Sequence, residues 1–162
     1  MNARPDVTVL IATHKRAESL AATLESIQAS SFPRDRFNLL VVDNAGDERT
    51  RETCEDAANN LPLRYLVAPE GGKNAALNRG LESAAGRLLL FTDDDVEVNP
   101  NWISEMWEGA SRWPDHVAFG GRVLPIWPSS PPEKVLNTKY AGVAYAILDP
   151  QHGEGRFPDF MA

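Results

Sequence analysis

The sequence predicts an α/β domain, a mostly parallel sheet with helices on both faces, followed by an irregular, proline-rich C-terminal segment. Three observations carry this expectation. Short aliphatic and β-branched runs, "VTVLIA", "FNLLVVD" and "RLLLFT", each lead into polar residues. The segments between them place apolar residues at helical spacing. From Leu124 onward both periodicities disappear while Pro125, Pro128, Pro131, Pro132, Pro150 and Pro158 accumulate.

The first strand covers Val7 to Ala12. In "RAESLAATLESIQAS", Leu20, Leu24 and Ile27 recur about one helical turn apart, and Ser30, Ser31 and Pro33 close the helix. Phe37 to Asp43 forms the second strand, Glu48 to Ala58 the second helix, and "LRYLV", Leu63 to Val67, a weaker third strand. "GGKNAALNRGLESAAG" opens on two glycines, carries Ala75, Leu77, Leu81 and Ala84 into a helix, and stops at Gly86. "RLLLFT" is the next strand, and Pro100 stands in the first turn of a helix through "NWISEMWEGASRW". Trp102, Met106 and Trp107 share one helical face and read as core packing, and Cys54 reads as an inert helix residue. Strands alternating with helices imply βαβ units and a parallel sheet over 1–123, with 124–162 as a separate irregular region.

With 162 residues, 43% apolar and 24% charged, the chain has the makeup of a folded domain of ordinary size. Its net charge of -7 argues against a nucleic-acid partner, which requires a basic stripe to displace counterions from phosphates. A single cysteine precludes an intramolecular disulfide or a cysteine-rich zinc site, so a reducing, cytoplasmic setting is expected. The apolar run at the N-terminus is too short for a signal peptide or a membrane span.

Right-handed crossovers bring the carboxyl ends of all the strands to one rim, where open α/β sheets bind ligands. Thr13 and His14, Asp43 and Asn44, and the triplet Asp93, Asp94 and Asp95 converge there. Three adjacent carboxylates at the end of an apolar strand need positive charge among them, and a divalent cation supplies it. Asp43 and Asn44 also suit an Asx-turn, and one member of the triplet also suits a cap or a turn. Other ligands find less support. The first strand leads into "THKRAESL" instead of a G-x-G-x-x-G turn. "EGGKNA" fails as a phosphate loop of the Walker type, because Val67 stands where the first glycine belongs and Asn74 where Ser or Thr belongs. His14, His116 and His152 lack zinc-ligand spacing.

The ordered blocks "VTVLIATHKR", "LLVVDNAGDE" and "GGKNAALNRGLESAAGRLLLFTDDDVEVNPNW" resemble the nucleotide-sugar half of a family 2 glycosyltransferase of the GT-A type, from Val7 to Val123. The resemblance implies a Rossmann-like GT-A fold and a nucleoside-diphosphate sugar donor, with uridine diphosphate the first expectation. It implies that Asp43 accepts a hydrogen bond from the base, that Thr13 lies beside the base with Arg16 nearby, and that Lys73 reaches the phosphates. The D-x-D element maps onto Asp93 and Asp95. Asp93 reaches the ribose or the metal shell, and Asp95 binds the cation, Mn2+ or Mg2+; Asp94 joins the donor set because a triplet allows more than one register. The implied reaction is metal-dependent transfer, with inversion, to a hydroxyl of a glycan, lipid-linked or protein acceptor.

In that family the acceptor side follows the donor half and carries a carboxylate base. Asp149, Glu154 and Asp159 are the only carboxylates beyond Glu133, and none stands in that context, so no base is assigned. The expectation is a donor-binding portion with its C-terminal half missing, cytoplasmic, with peripheral attachment at the inner face of a membrane left open. Two alternatives stand beside it. One is a module that binds nucleotide sugar without turning it over. The other is a phosphatase of the haloacid dehalogenase sort with Asp93 as nucleophile and Asp95 as acid-base, which Val96 and Glu97 disfavour.

Overall fold

The computed structural model describes residues 4–133, apart from 70, 128 and 132. The chain separates into two compact units, Met1–Val117 and Ala118–Ala162. The first holds β1 (Val7–Thr13), α1 (Ala17–Gln28), β2 (Phe37–Asp43), α2 (Glu48–Ala58), β3 (Leu63–Val67), α3 (Gly72–Leu81), β4 (Leu88–Thr92) and α4 (Trp102–Arg112). In the second, a single bridge at Val123 is the only regular structure among the described residues up to 127, and Asp149, Glu154 and Asp159 lie outside the described residues. No helix among the described residues is long and apolar enough to cross a membrane.

The four strands form one parallel sheet in the order β3-β2-β1-β4. Alternation along each strand divides the core into two layers. Val9, Ile11, Leu39, Val41 and Leu90 face Leu20, Leu24 and Ile27 of α1, Cys54 of α2 and Ile103 of α4. Leu10, Ala12, Leu40, Val42 and Leu66 face Ala76 of α3. Helices therefore cover both faces, as the near-continuous apolar strands require. Trp102, Met106 and Trp107 are half-buried against the first layer, the packing role expected of them.

Two boundaries depart from the sequence reading. α3 ends at Leu81 and does not run on to Gly86, because the chain must unwind there to enter β4. The Thr8 hydroxyl accepts the amides of Ala85 and Gly86, and Gly86 lies so close to β1 that a Cβ there would stand 2.3 Å from the Thr8 nitrogen. Pro100 lies ahead of α4, before its N-cap Asn101, and its carbonyl accepts the Ser31 amide from the end of α1.

The chain moves outward from β1 through β2 to β3, then returns past β1 to place β4 on the other side. The direction of winding reverses between β1 and β4, the topological switch point at which open α/β sheets leave a crevice beyond their carboxyl ends.

Candidate functional site

A recess of about 200 Å³ opens at that switch point, lined among others by Thr13, Arg16, Lys73, Asp93, Asp94 and Asp95. A larger groove of about 310 Å³ lies between α1 and α2, lined by those helices and the turn after α2, away from the strand ends.

Strand register builds the floor of the recess. Ile11 pairs with Thr92 across β1 and β4, so two residues further on Thr13 comes opposite Asp94. There the Thr13 hydroxyl donates to Asp94 Oδ2 at 2.6 Å, with both residues buried. Arg16, at the start of α1, donates to Asp94 Oδ1 at 3.0 Å through one nitrogen and to Asp95 Oδ2 at 2.9 Å through the other. The charge of Asp94, and then of Asp95, holds the Arg16 guanidinium proton more tightly than usual. Lys73 Nζ meets Asp93 Oδ1 at 2.5 Å. Asp93 and Asp95 keep 56% and 44% of their side chains open, against 7% for Asp94, so the two outer aspartates face the recess and the middle one is structural support.

Two hydroxyls on α1 fix the segment after the triplet. Thr23 Oγ1 donates to the Val96 carbonyl at 2.9 Å and accepts the Val96 amide at 3.1 Å, and Ser26 Oγ accepts the Val98 amide at 3.1 Å. On the far rim, Gly71 and Gly72 both take positive φ, and a Cβ on Gly71 would stand 2.6 Å from that of Ala75. The glycine pair turns the chain sharply into α3 and sets Lys73 at the edge of the recess. His14 Nδ1 contacts Asn44 Oδ1, and Lys15 follows with a φ of 53°, a left-handed conformation uncommon for a lysine.

Asp43 ends β2 beneath the β2–α2 loop. It is fully buried and does not line the recess. Oδ1 accepts the Ala45 amide at 2.8 Å, an Asx-turn, while Oδ2 accepts the Asp47 amide at 2.7 Å and the Tyr65 hydroxyl at 2.8 Å. The carboxylate thus pins the β2–α2 loop, and Asp47 in turn caps α2 by accepting the Thr50 amide. Oδ1 takes one of these bonds and Oδ2 the other two, which leaves Oδ1 with a further lone pair. Burial first, and then the bond to Asp43, raise the Tyr65 hydroxyl above its ordinary range. Burial, helped by the Asp43 charge, pushes the Cys54 thiol up to about 12, which agrees with an inert residue.

The structure therefore gathers Thr13, Arg16, Lys73, Asp93, Asp94 and Asp95, and leaves Asp43 behind them. Arg16 bonds Asp94 and Asp95. Residues missed by the sequence reading were Thr23, Ser26 and Tyr65. Tyr65 had a signal, since it stands opposite Val41 on β2 and diagonal neighbours on one sheet face lie within reach, which brings its hydroxyl to Asp43. Thr23 had none beyond its place among the apolar positions of α1.

Among the described residues, no three His, Cys, Asp or Glu side chains converge to hold a metal unaided. Two half-open carboxylates instead fit a hard dication that completes its shell with water and phosphate oxygens.

Comparison with known proteins gives a consistent result. The family model "Glycosyl transferase family 2" matches residues 8–159. Succinoglycan biosynthesis protein ExoM of Rhizobium meliloti is 31% identical over 107 residues, 64% of this chain and 34% of that protein. Glycosyltransferase AglE of Haloferax volcanii is 29% identical over 102 residues, 61% of this chain and 33% of that protein. The solved mannosyltransferase PcManGT of Pyrobaculum calidifontis, in complex with GDP-Man and Mn2+, superposes with a TM-score of 0.57 at 30% identity over 63% of this chain and 31% of its own. TarS of S. aureus, in complex with UDP-GlcNAc, shares the fold at 23% identity with a TM-score of 0.58, over 75% of this chain and 37% of its own. The chain spans about a third of the length of these relatives. The phosphatase reading of Asp93 and Asp95 is accordingly withdrawn. With the match running through both units, the chain belongs to glycosyl transferase family 2.

Proposed function

We propose that the recess between β1 and β4 binds a nucleoside-diphosphate sugar together with a divalent cation, as the donor side of an inverting glycosyltransferase. The observation that carries this reading is the pair of open carboxylates, Asp93 and Asp95, at the switch point, backed by the buried Thr13–Asp94 bond and the half-exposed Arg16 that bridges Asp94 and Asp95. Asp95, with Asp93, would hold Mn2+ or Mg2+. Such a cation, when bound, neutralises the charge that develops on the departing diphosphate. Lys73 and Arg16 add positive charge on opposite sides of the recess, and Lys73 is free to turn its flexible stem from Asp93 toward a phosphate. Asp43 shapes the β2–α2 loop against which the base would rest, so base preference passes through loop position. A cytoplasmic setting with a glycan, lipid-linked or protein acceptor completes the proposal.

Donor binding without transfer is a second reading for this chain taken alone. Among the described residues no carboxylate outside the triplet lines the recess, so none there is placed to take a proton from an acceptor hydroxyl.

Thermal unfolding of the 162-residue chain with UDP, GDP and TDP, each with Mn2+ and with EDTA, tests the proposal. A nucleotide at a hundredfold its Kd adds about 2.7 kcal/mol, a rise of about 5–10 °C for a domain of this size. That rise is expected for at least one nucleotide with Mn2+ and not with EDTA; no rise with Mn2+ for any nucleotide, or an equal rise in EDTA, overturns the proposal.

A further inference from the structure

We propose that Arg16 is an internal counterion that stands in the cation's way, so that a divalent cation enters the recess only in company with a diphosphate. The inference rests on the donor-site reading above and assigns Arg16 a positioning and selectivity role within it.

Arg16 makes one bond to Asp94 and one to Asp95, and the second uses an oxygen of the residue that would hold the cation. Lys73 does the same to Asp93 from the opposite rim. Three carboxylates against two cationic side chains leave one net negative charge in the recess. A dication arriving alone would overshoot that charge and would have to displace a guanidinium already bonded to Asp94 and Asp95. A diphosphate changes both conditions, because its oxygens offer Arg16 and Lys73 new partners while completing the shell of the metal. The absence, among the described residues, of three convergent metal-ligating side chains points the same way, since Asp93 and Asp95 alone make a weak all-protein site.

The geometry distinguishes Arg16 from Lys73. Arg16 bridges two aspartates with a planar fork and takes part in the buried Thr13–Asp94 support, whereas Lys73 makes one contact on a flexible stem. Removing Arg16 therefore frees Asp95 and doubles the net negative charge of the recess, and Arg16→Lys can satisfy only one of the two aspartates at a time.

Titration of free Mn2+, followed by its electron paramagnetic resonance signal, tests this in wild type, Arg16→Met, Arg16→Lys and Arg16→Met/Asp95→Asn, with circular dichroism to establish folding. Each protein is titrated with Mn2+ alone, with Mn2+ plus UDP, and with Mn2+ plus GDP. The expectation is that Arg16→Met binds Mn2+ alone at least about tenfold more tightly than wild type, with Arg16→Lys between them and the gain lost with Asp95. Equal Mn2+ affinity in wild type and folded Arg16 variants overturns the inference, and if UDP or GDP still tightens Mn2+ binding in wild type the donor-site reading survives. If neither nucleotide binds with Mn2+ in wild type, the donor-site reading falls, and the inference with it.

Discussion

Replacing Asp43 with alanine leaves three donors without their acceptor: the amides of Ala45 and Asp47 and the hydroxyl of Tyr65, all within 2.8 Å of the carboxylate. Hydrogen bonds to a charged group contribute about 1.5–3 kcal/mol each. The two loop amides regain water once the loop loosens, so the low end applies to them, and the loss comes to about 4.5–6 kcal/mol. Against a total stability of about 5–15 kcal/mol that is a large share, equivalent to a fall of about 10–20 °C in unfolding midpoint. Tyr65→Phe removes one donor and leaves the other two bonds in place, so its cost is about 1.5–3 kcal/mol. Urea titrations of wild type, both single variants and the double variant measure these losses and their coupling. In the double variant the Tyr65 change should cost nothing further. A loss below about 1 kcal/mol in Asp43→Ala, or a Tyr65 effect undiminished without Asp43, would show that the carboxylate does not organise the loop.

Three further outcomes are expected. Thr23→Val, at a fully buried position on α1, takes the hydroxyl partner from the half-buried Val96 amide and carbonyl, and should lower stability by about 2 kcal/mol in urea titration and weaken cation-dependent nucleotide binding by loosening Asp95. Gly86→Ala, whose Cβ would stand within 3 Å of three backbone atoms of β1 and β4, should destabilise by more than about 3 kcal/mol, while Gly109→Ala in the open interior of α4 should stabilise by about 0.5–1 kcal/mol, both read as shifts in thermal midpoint. The Cys54 thiol, raised to about 12 in the folded chain, titrates near 9 when unfolded, so its contribution is intact below pH 9 and is lost as pH rises toward 12. The slope approaches about 1.4 kcal/mol per pH unit, and the drop in urea midpoint between pH 8 and 10.5 should shrink in Cys54→Ala; an equal drop in both proteins would contradict it.

Much of the fold was legible because a parallel sheet covered on both faces demands continuous apolar strands, and β2 and β3 stand where the sequence placed them. The helix after Gly71–Gly72 was overextended because Ala84 continues the apolar spacing, whereas the close approach of Gly86 to Thr8, which ends the helix early, is a tertiary constraint with no local pattern. At the site, the aspartate triplet was legible as a charge anomaly at a strand end. The division of labour within it was not, because burial of Asp94 depends on Thr13, 81 residues away in sequence. At Asp43 the plainer turn reading of Asp-Asn after a strand is met by its bonds to the Ala45 and Asp47 amides, which follow from local sequence alone. Arg16 lies seven residues past Val9 in a loop of no regular period, and nothing in its neighbourhood announces that it faces Asp94 and Asp95.

Titration calorimetry of UDP and GDP into the 162-residue chain, with Mn2+ and with EDTA, in wild type and Asp95→Asn, tests the central claim most directly. Heat of binding is expected for at least one nucleotide only when Mn2+ is present, and is expected to be lost in a folded Asp95→Asn protein. Binding of equal affinity in EDTA, or in Asp95→Asn with Mn2+, would contradict a cation held at the end of β4 as the anchor of the donor.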